Sequence, residues 1–254
     1  MKLFDLKGRA AVVTGANTGI GFGIAQGLAE AGAAVAIVGR RADKNAEAVK
    51  KLESLGARAV AIEADVANEA DCARLIEQTA KQLGGLDILV NNAGVAIRKQ
   101  PQDYTNAEWR QVIDINLSAS FYCAHAAYPH MQRAGGGKII NIGSMMSIFG
   151  APFAVAYGAA KGGIVQMTKG LATAWAKDNI QSNAILPGWI DTDFTQSARQ
   201  QVTGLNERVL ARTPAGRWGT PGDFAGTAVF LASSASDFVN GAVIAVDGGY
   251  SSQG

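Results

Sequence analysis

Short runs of apolar residues recur along the chain and alternate with longer amphipathic segments. The runs are continuous rather than alternating, which is typical of strands buried on both faces of a sheet. They lie at 10–14, 34–38, 59–63, 87–90, 138–142, 182–186 and 242–246. The segments between them are long enough for helices. In the first of these segments Ile20, Ile24 and Leu28 repeat with helical spacing.

Strands that alternate with helices pair in parallel through right-handed crossovers. The pattern therefore predicts an α/β fold, a doubly wound parallel sheet of the Rossmann type with about seven strands and helices on both faces. Since no low-complexity tract or internal repeat divides the sequence, we expect residues 1–254 to form one domain.

Residues 192–215 depart from this pattern, because they are polar and weakly periodic after Pro187-Gly188. An insertion of this length in a compact domain usually has a function. We predict a lid over the substrate at residues 192–213. The alternative is a mobile surface loop.

The composition excludes several classes of protein. The net charge is +2, with charges of both signs interspersed, so we expect no nucleic-acid partner. No segment approaches the ~20 apolar residues of a membrane span, and the first residues lack a signal-peptide pattern. We therefore expect a cytoplasmic protein with no membrane partner. Two reduced thiols and no metal site are predicted, because Cys72 and Cys123 form no Cys-x-x-Cys pair and His125 and His130 lie five residues apart.

A glycine-rich segment lies between the first strand and the first helix, with the sequence Thr14-Gly15-Ala16-Asn17-Thr18-Gly19-Ile20-Gly21. Glycines permit a tight turn there and let backbone N–H groups approach a pyrophosphate. A glycine-rich turn without a ligand is the alternative, but the position between strand and helix favours a dinucleotide. The predicted contacts are Gly15, Asn17, Thr18, Gly19, Ile20 and Gly21.

The spacing Gly-x-x-x-Gly-x-Gly differs from the standard Gly-x-Gly-x-x-Gly fingerprint and resembles the classical short-chain dehydrogenase/reductase family. Further motifs match that family in order and spacing over practically the whole chain: Asn91-Asn92-Ala93-Gly94, Asp114-Ile115-Asn116, Ser144, Tyr157-x-x-x-Lys161 and Pro187-Gly188. The resemblance implies an oxidoreductase that interconverts a secondary alcohol and a carbonyl by hydride transfer to or from NAD(P)(H). It also implies a homotetramer.

The catalytic chemistry centres on Tyr157. A tyrosine has a pKa of about 10, so a base at neutral pH needs nearby positive charge, and Lys161 lies on the same helical face. Tyr157 is then the general acid/base. The resemblance implies that Ser144 polarises the carbonyl, that Tyr157 and Lys161 also contact the cofactor, Lys161 at the nicotinamide ribose, and that Asn116 holds a relay water.

Each of these four residues also has an ordinary structural interpretation. Tyr157 and Asn116 could be helix packing residues, Lys161 a solvent-exposed side chain and Ser144 a cap at the end of a strand. A nicotinamide-binding regulatory protein without catalysis is the corresponding alternative function. The presence of the complete set Asn116, Ser144, Tyr157 and Lys161 disfavours it.

The resemblance implies further cofactor contacts along the chain. Asp65 is expected at the adenine with Val66 beside it, and its alternative role is to cap the next helix. Asn91 is expected to steady the sheet edge near the ribose, and Asn92 and Gly94 are expected to contact the cofactor. The nicotinamide would lie against Pro187, Gly188, the Ile190 backbone and the Thr192 hydroxyl.

The end of the second strand predicts the choice of cofactor. It reads Gly39-Arg40-Arg41, whereas an NAD enzyme usually carries an acidic residue there for the ribose 2′-hydroxyl. A guanidinium suits a 2′-phosphate, so NADP(H) is favoured and NAD(H) stays an alternative. Asp43 comes later and is expected to cap the following helix.

The substrate stays open between two classes. Residues 214–219 and 230–249 resemble the sugar and sugar-acid members of the family, such as gluconate 5-dehydrogenase, 2-deoxygluconate 3-dehydrogenase and glucose 1-dehydrogenase. The expected pocket residues are mostly apolar, which suits a ketone or β-ketoacyl carbonyl reductase equally well; they are Met145, Met146, Ser147, Phe149, Phe153 and Trp189. A sugar acid would need a cation, for which the sequence offers Arg98, Lys99 and Arg199.

Overall fold

The computed structural model describes residues 2–253, apart from the side chain of Ser197; Met1 and Gly254, the ends of the expected domain, lie outside the described residues. One parallel sheet of seven strands forms the centre, in the order β3-β2-β1-β4-β5-β6-β7. The strands are β1 (Ala10–Thr14), β2 (Ala34–Gly39), β3 (Ala59–Glu63), β4 (Ile88–Asn91), β5 (Gly137–Ile142), β6 (Ile180–Pro187) and β7 (Val243–Val246). Each overlaps its predicted apolar run, and the predicted fold class is confirmed.

Helices cover both faces of the sheet. They are α1 (Gly19–Glu30), α2 (Ala42–Glu53), α3 (Glu69–Leu83), α4 (Asn106–Ile113), α5 (Ala119–Arg133), α6 (Val155–Trp175), α7 (Asp193–Gln201), α8 (Leu205–Arg212) and α9 (Ala225–Ala232). Alternate strand residues enter two separate cores, because successive side chains point to opposite faces. Val13 of β1 packs with α1, α2 and α9, whereas Val12 packs with α3, α5 and α6.

The chain order reverses beside β1, whose neighbours are β2 and β4. Ligands of open α/β sheets bind outside the carboxyl ends of the strands at such a reversal. Thr14 closes β1 there, and its hydroxyl accepts hydrogen bonds from the backbone N–H groups of Asn92 (3.0 Å) and Ala93 (3.1 Å). The segments that follow β1 and β4 are therefore joined directly at the edge where a cofactor is expected.

The segment predicted as a lid contains two helices, α7 and α8. They enclose a small separate cluster formed by Ala198, Leu205 and Val209. Among the described side chains of these two helices only these three are buried, so the helical period is weak in the sequence. Within residues 2–253, no helix combines the length and apolar character needed to cross a membrane, and no cluster of three or more His, Cys, Asp or Glu side chains is placed to hold a metal.

Candidate active site

A cavity of ≈ 350 Å³ opens at the carboxyl ends of β1, β4, β5 and β6. Most of the residues singled out in the sequence line it: Gly15, Thr18, Gly19, Ile20, Gly21, Asn92, Gly94, Ser144, Tyr157, Lys161, Pro187, Gly188, Ile190 and Thr192. Asn17, Arg40, Arg41, Asp65, Val66 and Asn116 do not line it. Asn17 follows β1, Arg40 and Arg41 follow β2, and Asp65 and Val66 follow β3. Asn116 is hydrogen-bonded to the backbone of Val95, next to the cavity-lining Gly94 and Ala96.

The glycine loop is shaped by close packing against the segment after β4. A Cβ on Gly21 would lie 2.4 Å from Nδ2 of Asn92, and a Cβ on Gly15 would lie 2.9 Å from Cα of Ala93. Gly15 also has a φ of 62°, which favours glycine. At the start of α1 the Thr18 side chain makes no capping hydrogen bond, so the first N–H groups of the helix can bind an anion. This loop fits a pyrophosphate.

The ends of β2 and β3 carry the residues expected at the adenosine end. Arg40 and Arg41 are both exposed, and neither guanidinium has a partner within residues 2–253. Asp43 lies in the first turn of α2 while Arg41 is the N-cap residue, so the prediction that Asp43 caps this helix is wrong.

Asp65 makes a local turn rather than a helix cap. Its Oδ1 accepts a hydrogen bond from Ala67 N (3.1 Å). The N-cap of α3 is Asn68, whose Oδ1 accepts from Ala70 N (2.9 Å) and Asp71 N (3.4 Å). The alternative role predicted for Asp65 is therefore wrong, because Asn68 lies nearer to the start of the helix.

Asn116 lies in a π-helical turn, Asp114–Ser118, between α4 and α5, and it is fully buried. Its Nδ2 donates to Val95 O (2.8 Å) and Val112 O (2.8 Å), while its Oδ1 accepts from Val95 N (3.2 Å). A Cβ on Gly94 would lie 2.6 Å from this Oδ1 and 3.7 Å from Nζ of Lys161. Since both amide N–H groups are used, only an oxygen atom of Asn116 could bind a water.

Ser144, Tyr157 and Lys161 meet in the cavity. Ser144 follows β5, and its Oγ accepts from Met146 N (3.1 Å) and shares a hydrogen bond with the Tyr157 hydroxyl. Tyr157 and Lys161 lie one turn apart on α6, with the Lys161 amine 5.7 Å from the centre of the Tyr157 ring. Lys161 is 3% exposed, and its Nζ donates to Ile142 O (2.7 Å).

Burial dominates the titration of both groups on α6. It raises the pKa of Tyr157 above its usual value near 10, although the Ser144 hydrogen bond and the positive charge of Arg98 act in the opposite direction. It lowers the pKa of Lys161 from 10.5 to about 8. In the ligand-free protein the phenol is therefore held in its neutral form, in contrast to the lowered pKa that the lysine spacing alone predicts.

Four of the six predicted pocket residues line the cavity, namely Met145, Met146, Phe153 and Trp189. Ser147 instead connects the segments that carry Ser144 and Lys161, because its Oγ donates to Lys161 O (2.7 Å) and accepts from Ser144 N (3.2 Å). Phe149 lies away from the cavity and packs against Tyr250. Both differences depend on the course of the turn after β5, which the residue types do not reveal.

The three candidate cations have different environments. Lys99 pairs with Glu108 at 2.5 Å, and Arg199 pairs with Asp191 at 3.0 Å. Arg98 lines the cavity, and no carboxylate within residues 2–253 pairs with it. Its hydrogen bonds to the described residues go to the neutral acceptors Gln201 Oε1 (3.3 Å) and Phe194 O (3.5 Å).

The family model described as enoyl-(acyl carrier protein) reductase matches residues 15–251. The match begins at the glycine loop and includes the whole Ser144, Tyr157 and Lys161 set. The chain belongs to the short-chain dehydrogenase/reductase family. The resemblance predicted from the motifs is confirmed, and so is the class of activity: this short-chain dehydrogenase/reductase is an NAD(P)-dependent oxidoreductase.

Curated relatives align with this dehydrogenase/reductase over almost its full length. It is 43% identical to 2-dehydro-3-deoxy-D-gluconate 5-dehydrogenase of Escherichia coli (strain K12), over 98% of each chain. It is 40% identical to 5-keto-D-gluconate 5-reductase of the same strain, over 97% of each chain. A solved gluconate 5-dehydrogenase of Burkholderia cenocepacia J2315, in complex with NADP and tartrate, matches with a TM-score of 0.94 at 40% identity, covering 100% of this chain and 99% of that one.

The sequence analysis missed one aromatic residue of the cavity. Phe194, at the start of α7, lines it. Its ring centre lies 6.3 Å from that of Tyr157, and the Arg98 guanidinium lies 5.3 Å from the centre of the same ring. The sequence could have indicated it, because Phe194 is a large apolar residue at the beginning of the mostly polar lid segment.

Proposed function

We propose that the protein is an NADP(H)-dependent oxidoreductase of sugar acids, which interconverts a secondary hydroxyl and a ketone on a polyhydroxy carboxylate. The observation that carries this proposal is Arg98, a cation in the cavity wall without a carboxylate partner within residues 2–253. The relatives support it, because the names of both curated enzymes specify a gluconate derivative.

Arg98 fits the carboxylate of such a substrate. A guanidinium presents a planar fork of donors that binds a carboxylate through two hydrogen bonds. Burial already lowers the pKa of Arg98, which shows that its charge is incompletely compensated by its surroundings. A substrate carboxylate would supply the missing negative charge. Lys99 and Arg199 cannot take this role without breaking their existing ion pairs.

The cofactor site fits NADP(H) along the carboxyl edge of the sheet. The glycine loop (Gly15, Asn17, Thr18, Gly19, Ile20 and Gly21) would hold the pyrophosphate, and Arg40 with Arg41 would hold the 2′-phosphate. Asp65 and Val66 would lie at the adenine, Asn92 and Gly94 near the ribose. Pro187, Gly188, Ile190 and Thr192 would lie at the nicotinamide, which accepts or supplies the hydride when bound. The NADP in the Burkholderia cenocepacia enzyme supports the choice of cofactor.

The protein supplies the proton chemistry. In reduction the Tyr157 hydroxyl donates its proton to the oxygen of the substrate ketone, and in oxidation it takes the proton from the alcohol. Ser144 donates a hydrogen bond to the same oxygen. Lys161 provides the positive charge that stabilises the phenolate, and an oxygen of Asn116 holds the water that delivers protons to the lysine.

The lid and the assembly are further parts of this proposal. Residues 192–213 would cover the substrate, since Phe194 of α7 already packs beside Tyr157 and Arg98. A homotetramer in the cytoplasm is proposed from family membership. Light scattering at micromolar concentration tests the assembly, and a monomer would contradict it.

The function is tested by comparing a keto acid with a neutral ketose. We expect wild type to reduce 5-keto-D-gluconate with a much higher kcat/KM than L-sorbose, which lacks the carboxylate. Arg98→Met should lower kcat/KM for the keto acid about ten- to a hundredfold, because a charge-assisted contact is lost. Its activity on the ketose should change by less than about threefold.

Lys99→Met is the matched control, because Lys99 is the neighbouring cation and lies outside the cavity lining. It should leave the preference for the keto acid intact. Equal activity of wild type on both substrates, or higher activity on aryl ketones or β-keto esters, would refute the sugar-acid proposal. The latter result would favour the broad carbonyl reductase.

A further inference from the structure

Three segments at the adenosine end of the site meet at one buried amide, that of Asn45. This residue is 0% exposed and lies in the first turns of α2, on the same buried face as Ala48 and Leu52. An apolar residue is the usual occupant of such a position, because an unpaired buried amide is costly.

The Asn45 side chain joins the loop after β1 to the strands β2 and β3. Its Nδ2 donates to Gly39 O (2.8 Å), at the end of β2, and to Ile62 O (3.2 Å), in β3. Its Oδ1 accepts from Nδ2 of Asn17 (2.8 Å), in the glycine loop. One side chain thus connects the ends of three adjacent parallel strands.

These contacts fix the direction of every hydrogen bond in the group. The carbonyls of Gly39 and Ile62 can only accept, so the NH₂ group of Asn45 must face them. The Oδ1 of Asn45 must then face Asn17, which has to donate. As a result the Asn17 amide is also held in one orientation, with its own Oδ1 and its second N–H left for another partner.

The junction is too tight for a side chain at Gly39. A Cβ there would lie 2.6 Å from Nδ2 of Asn17 and 2.7 Å from Oδ1 of Asn45. Gly39 directly precedes Arg40. The carbonyl to which Asn45 donates therefore belongs to the residue immediately before Arg40.

We propose that Asn45 is a positioning residue for the adenosine half of the cofactor. It sets the orientation of the Asn17 amide, and it holds the end of β2 so that Arg40 and Arg41 project toward the 2′-phosphate. This inference rests on the cofactor part of the proposed function and is independent of the substrate. Asn45 acts through Asn17 and Gly39, so its loss should weaken cofactor binding and spare the chemical step.

The direct test is titration calorimetry with two probes, NADP⁺ and adenosine 2′,5′-bisphosphate. The second probe carries the adenosine half without nicotinamide. Asn45→Leu keeps the number and branching of the side-chain heavy atoms and removes all three hydrogen bonds. Asn45→Ala leaves room for water and provides the test if the larger leucine prevents folding. Both should bind the two probes about ten- to a hundredfold more weakly than wild type, because buried groups lose their partners.

Leu52→Ala is the matched control, since Leu52 is 0% exposed on the same face of α2 and its truncation destabilises the helix packing without touching the junction. It should bind both probes within about twofold of wild type. With substrate, the asparagine variants should show a raised KM for NADPH and a kcat at saturating cofactor within about threefold of wild type.

A double-mutant cycle separates direct coupling from general damage. Asn17→Ala and Asn45→Ala should weaken binding of the bisphosphate by less in combination than the product of their single effects, because they remove one shared interaction. Wild-type affinity in both Asn45 variants, or an equal loss in Leu52→Ala, would overturn the proposal. If wild type itself binds neither probe, the cofactor assignment fails instead.

Discussion

The amine of Lys161 lies 5.7 Å from the centre of the Tyr157 ring, while its own hydrogen bond goes to the carbonyl of Ile142 at 2.7 Å. The cation is thus placed beside the phenol without being paired to it. Because burial raises the pKa of Tyr157 and lowers that of Lys161, the ligand-free protein disfavours both charged forms. The catalysis that we propose requires an arrangement of charges that is costly before the ligands bind.

Lys161→Met should stabilise the ligand-free protein. The pKa of Lys161 falls from 10.5 to about 8 in the folded state, so the protonated amine carries a penalty of order 3 kcal/mol. The free energy of unfolding at pH 7 should therefore rise by about 1–3 kcal/mol, which is less than the full penalty because the hydrogen bond to Ile142 O is also lost. Chemical denaturation measures it.

The stability difference between Lys161→Met and wild type should depend on pH. Between pH 8 and 10.5 the unfolded protein binds a proton at Lys161 that the folded protein lacks, so wild-type stability rises with pH across that window. The advantage of Lys161→Met should therefore be complete below pH 8 and disappear toward pH 10.5. A constant advantage over the whole range would contradict the burial explanation.

Tyr157→Phe should bind NADP(H) as wild type does and lose turnover. The ring and its contact with Phe194 are kept, whereas the proton donor is removed, which should lower kcat about 10²- to 10⁴-fold. Steady-state rates together with calorimetric Kd values check both halves. Near wild-type turnover would remove Tyr157 from the catalytic role.

Replacement of Arg40 should change the preference between cofactors. Arg40→Asp places a carboxylate where we propose the 2′-phosphate, so kcat/KM with NADP should fall about ten- to a hundredfold and NAD should be much less affected. Arg41 can share this contact, and Arg40→Asp combined with Arg41→Ala is the stronger variant. An unchanged NADP/NAD ratio in the double variant would show that the pair is only a solvated surface.

Ser147 should act on the catalytic step without contact to substrate. Its hydroxyl joins Ser144 N and Lys161 O, so Ser147→Ala should loosen the spacing of the two segments and lower kcat about tenfold or more. Ser147→Thr retains the hydroxyl and should restore most of the rate. Cofactor Kd should be unchanged in both variants, and equal kcat values for alanine and threonine would argue against this role.

The strands could be predicted because residues such as Val12 and Val13 are buried on opposite faces of the sheet, which requires an apolar side chain at every position. The lid helices could not. Among their described side chains only Ala198, Leu205 and Val209 are buried, and three positions over two helices do not produce a clear period.

Ser144, Tyr157 and Lys161, which the motif spacing singles out, line one cavity, because they lie on or directly after the rigid elements β5 and α6. The ion-pair partners of a side chain and its depth of burial could not be predicted from the residue types. Arg98, Lys99 and Arg199 are equivalent in the sequence, and only the structure shows which one lacks a carboxylate partner within residues 2–253. The direction of the Tyr157 pKa shift likewise depends on the depth of burial.

Arg40 and Arg41 are exposed, and neither guanidinium forms a hydrogen bond or an ion pair with another residue within 2–253. Substitutions at such positions usually change folding stability by less than about 0.5 kcal/mol. If these arginines bind the 2′-phosphate as we propose, the nucleotide preference can be engineered independently of thermostability, whereas the buried Lys161 offers no such freedom.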